Sequence, residues 1–193
     1  VRGIATLGIL VMNAVSFGLP QPAYFNLDYA GSDNTLDWIV GVLAEVFVDQ
    51  KTMAMFSMLF GAGIVVFADR AAAKGRRANW LSLWRNTLLL VIGGAHTAFW
   101  FGDVLMLYAV CSPVLLLLRT CSARTLFIAG GICLALSALT MAAVQGEIEA
   151  ADLGDYWVDE NTAMGEDVQF AVLADFGMRA LGAMLIGVGL FRS

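Results

Sequence analysis

The chain has 193 residues, of which 60% are hydrophobic and only 14% are charged, and its mean hydropathy is +0.78. An ordinary soluble domain has about 45–50% apolar and about 25% charged residues, so this composition excludes a soluble globular domain and indicates lipid as the solvent. The formal net charge of −5 argues against nucleic acid or anionic lipid as a partner, because both attract basic proteins, but the arrangement of the charges along the chain matters more than their sum.

Six apolar segments, separated by polar stretches, predict an all-α, polytopic transmembrane bundle of about six spans. A helix needs about 20 residues to cross about 30 Å of hydrocarbon, so the shorter segments must borrow interfacial residues at their ends. Small residues at helical spacing, Gly61 and Gly187 among them, predict close helix packing. The predicted spans, which form a single transmembrane region, are residues 3–19, 52–68, 87–101, 104–118, 126–144 and 176–191.

Three stretches need separate interpretation. Residues 36–48 are apolar but carry acidic side chains, so they predict an interfacial helix or an outer extension of the second span. Residues 87–118 would be about 48 Å long as one helix, so we expect two antiparallel spans. Their hairpin turn would lie at Gly102 and Asp103, where Gly permits positive φ and Asp can cap the next helix. Residues 145–175, acidic and poor in aliphatic side chains, predict an external loop.

The loop charges predict the orientation of the bundle. With six spans, every Lys and Arg except Lys51 and Arg179 falls on one side, whereas most acidic residues fall on the other. Cytoplasmic loops carry an excess of Lys and Arg. The basic side, which includes both chain termini, is therefore predicted to be cytoplasmic.

The chain carries none of the motifs that indicate a resident metal ion or cofactor. No EF-hand, Cys/His metal pattern, P-loop or dinucleotide fingerprint is present, so we predict neither a metal site nor a cofactor. The cysteines lie in or beside apolar segments and indicate no disulfide framework. Because the sequence begins at Val1 without Met and stops directly after an apolar segment, we expect a fragment of a longer protein.

Ordered short motifs run along the whole chain. They are RGIATLGILVMN at residues 2–13, SFGLP at 16–20, AYFN at 23–26, FSMLFGAG at 56–63, His96 with Trp100, GDVL at 102–105 before Tyr108, and GAMLIG at 182–187. As a set, these motifs resemble the YeiB family of polytopic bacterial inner-membrane proteins. The resemblance implies that the chain corresponds to roughly the N-terminal half of a larger protein.

The YeiB family is also distantly similar to transmembrane acyltransferases of the heparan glucosaminide acetyltransferase type. That group shares an Arg-Gly start and an Asn at the end of the first helix, which correspond here to Arg2, Gly3 and Asn13. Its catalytic His follows this Asn on the outer side, and the matching region here holds Tyr24 instead. The resemblance to this group therefore does not extend to acyl transfer by the same His.

His96 is the chain's single histidine and falls near the outer third of its predicted span. Helical spacing places Trp100 one turn later and Asp103 about two turns later, so the three share one face if the helix continues that far. The imidazole is a candidate general base, with Asp103 as its catalytic partner, for deprotonating an acceptor hydroxyl or amine. The structural alternatives are that Asp103 caps a helix and that His96 only bonds a neighbouring helix.

Four residues are candidate substrate contacts: Asn13, Lys51, Trp100 and Tyr108. The carboxamide of Asn13 can donate to and accept from a substrate, although an interhelical hydrogen bond explains it equally well. Lys51 could hold an anionic acceptor, or it could snorkel or pair with a local carboxylate. Trp100 and Tyr108 belong to the motifs that carry the resemblance.

The basic loop offers candidate ligands for the phosphates of an acyl-CoA donor, because Arg suits phosphate geometry. These candidates are Arg76, Arg77 and Arg85, whose charges the topology rule also explains.

Two classes of function fit these residues. The first is an enzyme that transfers an acyl group from a cytosolic acyl-CoA to an acceptor at the outer membrane face. The second is a transporter or permease component in which the same polar residues line a substrate path. No internal repeat is visible in the sequence, which favours the first class. The predicted partners are the lipid bilayer and a small molecule, whose identity the sequence leaves open, as it does the oligomeric state.

Overall fold

The computed structural model describes residues 2–18, 34–49, 51–99, 104–147 and 166–193. These ranges fold into seven helices and contain no β-strand, so the predicted all-α class is confirmed. In chain order the helices are α1 (Arg2–Gly18), α2 (Thr35–Phe47), α3 (Lys51–Ala73), α4 (Ala78–Thr97), α5 (Leu105–Leu118), α6 (Ala123–Glu147) and α7 (Glu166–Arg192).

Three segments within the described ranges are long and apolar enough to cross a membrane: Lys51–Ala73, Ala123–Val144 and Phe170–Arg192. α4 has 20 residues but is not among these three, and the remaining helices are shorter. α1 has 17 residues, and α5 has 14, which makes α5 about 21 Å long against about 30 Å of hydrocarbon. The count of six spans and the cytoplasmic location of both termini therefore stay predictions.

Several helices extend beyond the apolar segments that predicted them. The bounds of α1 and α5 agree with the predicted spans to within one residue, but α4 begins at Ala78 rather than at 87, and α7 begins at Glu166 rather than at 176. Helical backbone hydrogen bonds form regardless of side-chain polarity, whereas hydropathy marks only the apolar part. Residues 166–175 of the predicted external loop are consequently helical, and its central part, 148–165, lies outside the described residues.

α2 is a separate helix and not a continuous extension of α3. The side chain of Asn34 caps its N-terminus by accepting hydrogen bonds from the backbone N–H groups of Leu36 (2.9 Å) and Asp37 (3.1 Å). After the helix ends at Phe47, the hydroxyl of Thr52 donates to the carbonyl oxygen of Val48 at 2.8 Å. The predicted interfacial position of this helix stays a prediction.

The chain forms two compact units. Unit 1 comprises Val1–Met53 and Ala138–Asp175, and unit 2 comprises Ala54–Ser137 and Phe176–Ser193. Within unit 1, α1 approaches the start of α3 so closely that a Cβ at Gly8 would clash with the side chain of Thr52.

Unit 2 has a core formed by α3, α5, α6 and α7. Val65, Tyr108, Leu126 and Met184 lie in it, and each is at most 1% exposed. α3 and α7 pack closely because glycines stand at their crossing: a Cβ at Gly61 would lie 2.7 Å from the carbonyl oxygen of Met184. A Cβ at Gly187 would meet the backbone of α3 in the same way, as the small-residue spacing predicts.

α4 and α5 form an antiparallel pair within unit 2. Near the end of α4, a Cβ at Gly93 would lie 2.8 Å from the backbone nitrogen of Met106 at the start of α5. At the other end, Ala78 and Leu116 belong to one buried cluster. Two antiparallel helices between residues 87 and 118 are thus confirmed. The turn predicted at Gly102 and Asp103 lies outside the described residues.

Large apolar side chains lie on the surface of several described helices. Leu117 is 80% exposed, Phe170 is 75% exposed and Leu139 is 65% exposed. Soluble monomers rarely expose large contiguous apolar patches, whereas lipid accepts such side chains without penalty. This surface and the three apolar helices are together consistent with a membrane protein.

Candidate functional site

The basic segments of unit 2 meet at one end of that unit. The carboxylate of Asp69, near the end of α3, lies 3.8 Å from Nη1 of Arg119 and 3.5 Å from Nη2 of Arg192. The ends of α3, α5 and α7 therefore lie side by side. We call this region the cationic end. Asp69 is the one acidic residue in the described part of unit 2, and the basic residues of the cationic end are Arg70, Lys74, Arg76, Arg77, Arg119, Arg124 and Arg192.

Of the three predicted donor-phosphate ligands, two lie at the cationic end and one lies further along α4. Arg76 and Arg77 are exposed between α3 and α4. The guanidinium carbon of Arg85 lies 4.0 Å from the centre of the Phe67 ring, a cation–π contact worth about 0.5–1 kcal/mol at an exposed site. Arg85 thus holds α4 against α3, whereas Arg76 and Arg77 present their charge to the surroundings.

His96 lies in the last turn of α4, at the opposite end of that helix from Arg77. The 20 residues of α4 make it about 30 Å long. His96 is exposed. Because α4 ends at Thr97, the helix face that His96 was predicted to share with Trp100 and Asp103 does not reach those residues, which lie outside the described ranges.

Tyr108 lies in the core of unit 2 and not at an open surface. Its hydroxyl and that of Ser57 on α3 form a hydrogen bond of 2.7 Å. Its ring centre lies 5.9 Å from that of Phe56 and 4.9 Å from that of Phe60. With 1% of its surface exposed, Tyr108 holds α5 against α3, and the hydroxyl pair satisfies two buried polar groups.

A second polar contact joins α4 to α5 at a proline. Pro113 has no N–H, so the carbonyl oxygen of Ala109, four residues earlier, lacks its helical donor. The side-chain Nδ2 of Asn86 on α4 donates to this oxygen at 2.6 Å. Ala109 is 2% exposed, so water has little access to its carbonyl oxygen and is a poor substitute for the missing donor. Asn86 therefore supplies the hydrogen bond that the proline removes.

The remaining predicted contacts lie in unit 1. Asn13 is half-buried on α1, and Lys51 is exposed at the first position of α3. Lys51 already takes part in an interaction within the protein. Their roles in substrate binding stay predictions.

Sequence reasoning missed three charged residues that lie within helices. Asp175, assigned to the predicted loop, lies inside α7 and is 1% exposed. Arg179 follows one turn later, with its guanidinium carbon 5.3 Å from the centre of the Phe176 ring. Asp69 pairs with two arginines. The sequence could have revealed them, because each is a charged residue within or at the end of an apolar segment. Such a charge is costly in a membrane, so it indicates a structural or functional role.

Sequence comparisons identify known proteins that are similar to this chain. Over its whole length the chain is 30% identical to "Uncharacterized protein YeiB" of Escherichia coli (strain K12), and the match covers 54% of that protein. The chain is YeiB-like. It is also 36% identical over 66% of its length to "Uncharacterized protein YxaH" of Bacillus subtilis (strain 168), where the match covers 33% of the relative. The resemblance found from the motifs is thus confirmed.

The YeiB-like chain spans about half the length of the Escherichia coli relative and about a third of the Bacillus subtilis relative. No family model matches the chain. No solved structure matches it either.

Proposed function

We propose that the full-length protein is a multi-pass plasma-membrane protein that transfers an acyl group from a cytosolic acyl-CoA to an acceptor at the outer membrane face. One observation carries the proposal: the cationic end and the exposed imidazole of His96 lie at opposite ends of α4. The helix is about 30 Å long, close to the thickness of the hydrocarbon core. We take the exposed basic side chains as the donor-binding surface and the imidazole as the proton acceptor, and they lie about 30 Å apart along α4.

The proposed orientation follows from the charges. Basic residues concentrate on cytoplasmic loops, so the cationic end belongs in the cytoplasm, where acyl-CoA is made. Arg76 and Arg77 are exposed there and suited to the phosphates of the donor. Arg85, further along α4, would extend this surface towards the membrane.

The chemistry requires a base at the acceptor. The pantetheine arm of the donor would have to extend from the cationic end along α4 to bring the thioester to His96, which would accept the proton of an acceptor hydroxyl or amine while that group attacks the thioester carbonyl. The carbon–sulfur bond then breaks, and the CoA thiolate leaves and takes up a proton. Asp103 is proposed to orient the imidazole, and Trp100 to position the substrate. Tyr108 would act indirectly, by holding α5 against α3 beneath the site.

The direct test is acyl-CoA turnover by the detergent-purified full-length protein with a panel of hydroxyl and amine acceptors. We expect His96→Gln to abolish the release of free CoA thiol while the protein stays monodisperse, because the side chain is exposed. Ala95→Gln is the matched control, since Ala95 is the exposed neighbour on the same turn. If the wild type neither binds a CoA ester nor acylates any acceptor, acyl transfer is excluded.

Orientation has a separate test in intact cells, in a background whose native cysteines are replaced by alanine. Ala72→Cys lies at the cationic end and Ala98→Cys at the His96 end, and both positions are exposed. We expect an impermeant thiol reagent to label Ala98→Cys from outside the cell and Ala72→Cys only after permeabilisation. The reverse pattern would overturn the proposed topology.

A permease is the second candidate, and the burial of Asp175 favours it. This carboxylate is 1% exposed within the apolar segment Phe170–Arg192, and ionisable side chains inside membrane helices often mark a substrate or ion path. If solute uptake into proteoliposomes is lost in Asp175→Asn and unchanged in His96→Gln, the permease replaces the acyltransferase as the favoured function.

A further inference from the structure

α6 uses only one of its faces in the packing of unit 2. On that face, a Cβ at Gly130 would lie 2.8 Å from the carbonyl oxygen of Gly182 on α7. The ring of Phe127 lies 3.2 Å from the position that a Cβ at Gly189 would take, and Leu126 is 1% exposed. Residues three and four apart share one side of a helix, so these positions define the side of α6 that packs against α7.

The opposite side of α6, which we call the outer face, is exposed along its length in unit 2. Its residues follow one another at helical spacing and are Ile128, Gly131, Ile132 and Ala135. A Cβ at Gly131 would meet no atom within 4 Å. In the apolar segment Ala123–Val144, 11% of the most apolar stretch is buried, against 44% in Phe170–Arg192. α6 is therefore the least covered of the three long apolar helices.

The composition of the outer face suits a second helix better than lipid. Gly131 and Ala135 lie one turn apart, and small residues at this spacing let the backbone of another helix approach closely. Ile128 and Ile132 border them, and β-branched side chains have little rotamer freedom to lose when they pack. A helical glycine that met only lipid would weaken α6 without any gain in packing.

The relatives indicate where such a helix comes from. Nearly half of the Escherichia coli relative and about two thirds of the Bacillus subtilis relative lie outside the matched regions. A full-length protein of that size has as much polypeptide again to pack beside these 193 residues. A covalently linked segment also has a much higher effective concentration at the outer face than a second copy of the protein has.

We propose that the outer face of α6 binds a helix from the part of the full-length protein that lies outside these 193 residues. Gly131 and Ala135 form the shallow groove into which this helix packs, and Ile128 and Ile132 form its wall. The inference requires membrane insertion but not acyl transfer, so it can fail while the proposed function stands, and the reverse also holds.

The first test replaces the small residues by leucine in the full-length protein. Alanine at 131 would still be small, whereas Gly131→Leu and Ala135→Leu fill the groove. Overpacking should raise the unfolding equilibrium constant about tenfold or more, measured in mixed micelles titrated with sodium dodecyl sulfate. On a face that meets only lipid, Gly131→Leu should leave this constant unchanged or lower it, because leucine forms helices better than glycine.

Gly94→Leu is the matched control. Gly94 is an exposed glycine of α4 whose Cβ would also meet no atom within 4 Å, and its replacement should not raise the unfolding constant. An unchanged or lowered constant in Gly131→Leu would overturn the proposal. An equal rise in Gly94→Leu would show a general intolerance of leucine and would overturn it too.

The second test needs no bulky substitution and identifies the occupant. A nitroxide is attached to Ala135→Cys of the full-length protein in liposomes, with the native cysteines replaced by alanine. We expect this label to be immobilised and severalfold less accessible to oxygen than a label at Val110→Cys, since Val110 is 63% exposed on α5. Equal mobility and oxygen access at the two positions would mean that lipid covers the outer face. Spin–spin broadening at 135 that disappears on dilution with unlabelled protein would assign the face to a second copy, and either result overturns the proposal.

Discussion

Replacing Asn86 by Leu should destabilise the protein through the proline of the neighbouring helix. Asn86→Leu removes the 2.6 Å hydrogen bond to the carbonyl oxygen of Ala109 while nearly preserving the volume of the side chain. Pro113 cannot supply the lost donor. Because Ala109 is 2% exposed, its carbonyl oxygen would stay unsatisfied in the folded state.

The expected cost is about 1–2 kcal/mol. Hydrogen bonds between membrane helices are worth about 0.6 kcal/mol on average and up to about 1.7 kcal/mol, and a buried acceptor without a partner costs about 1–3 kcal/mol. We expect a cost towards the upper limit for hydrogen bonds between membrane helices, because the bond from Asn86 is short and Pro113 offers no N–H within α5 to replace it.

Pro113→Ala tests this reason directly. Alanine at 113 restores an N–H that can bond the carbonyl of Ala109, so Asn86→Leu should then cost less than about 0.5 kcal/mol. The free energy of unfolding is measured for the two single variants and the double variant of the full-length protein in mixed micelles titrated with sodium dodecyl sulfate. Asn79→Leu, at an exposed position on the same helix, is the control and should change stability by less than about 0.5 kcal/mol.

Strictly additive effects of Asn86→Leu and Pro113→Ala would refute this reasoning. Additivity would mean that Asn86 stabilises α4 and α5 by a route that does not involve the carbonyl released by the proline.

Two other contacts of unit 2 give comparable predictions. Tyr108→Phe and Ser57→Ala each remove one side of the 2.7 Å hydroxyl pair; each should cost about 1 kcal/mol, and the double variant should cost less than the sum in the same unfolding assay. Gly187→Leu should prevent recovery of monodisperse protein, because even a Cβ there meets the backbone of α3. Gly131→Ala, which faces open space, should be neutral or stabilising by up to about 1 kcal/mol.

The apolar cores of the helices could be predicted from hydropathy, but their ends could not. α1 and α5 match the prediction closely because apolar segment and helix coincide there. α4 and α7 begin well before their apolar segments, since polar residues continue a helix whenever the backbone hydrogen bonds remain available. Hydropathy placed the bounds of α2 closely, at 36–48, but it left open whether this segment is a separate helix or an extension of the next one.

Part of the candidate site could likewise be predicted from the sequence, and part could not. The basic segments could be grouped on one side from the number of predicted spans, and the pairing of Asp69 with Arg119 and Arg192 brings several of them to one end of unit 2. The grouping of His96 with Asp103 rested on a continued helix, and α4 ends at Thr97. Tyr108 was predicted as a substrate contact because it belongs to a recognisable motif, but a motif does not reveal whether a hydroxyl meets a substrate or Ser57.

The sequence by itself determined that the chain is helical, rich in apolar segments and YeiB-like, because composition, hydropathy and ordered motifs are properties of the linear chain. Only the tertiary structure decided which groups satisfy one another. Asn86 with the carbonyl of Ala109, Tyr108 with Ser57, and Asp69 with two arginines are all contacts between helices. Such contacts depend on the rotation and depth at which two helices pack, and these are fixed by the whole set of packed side chains and not by any one segment.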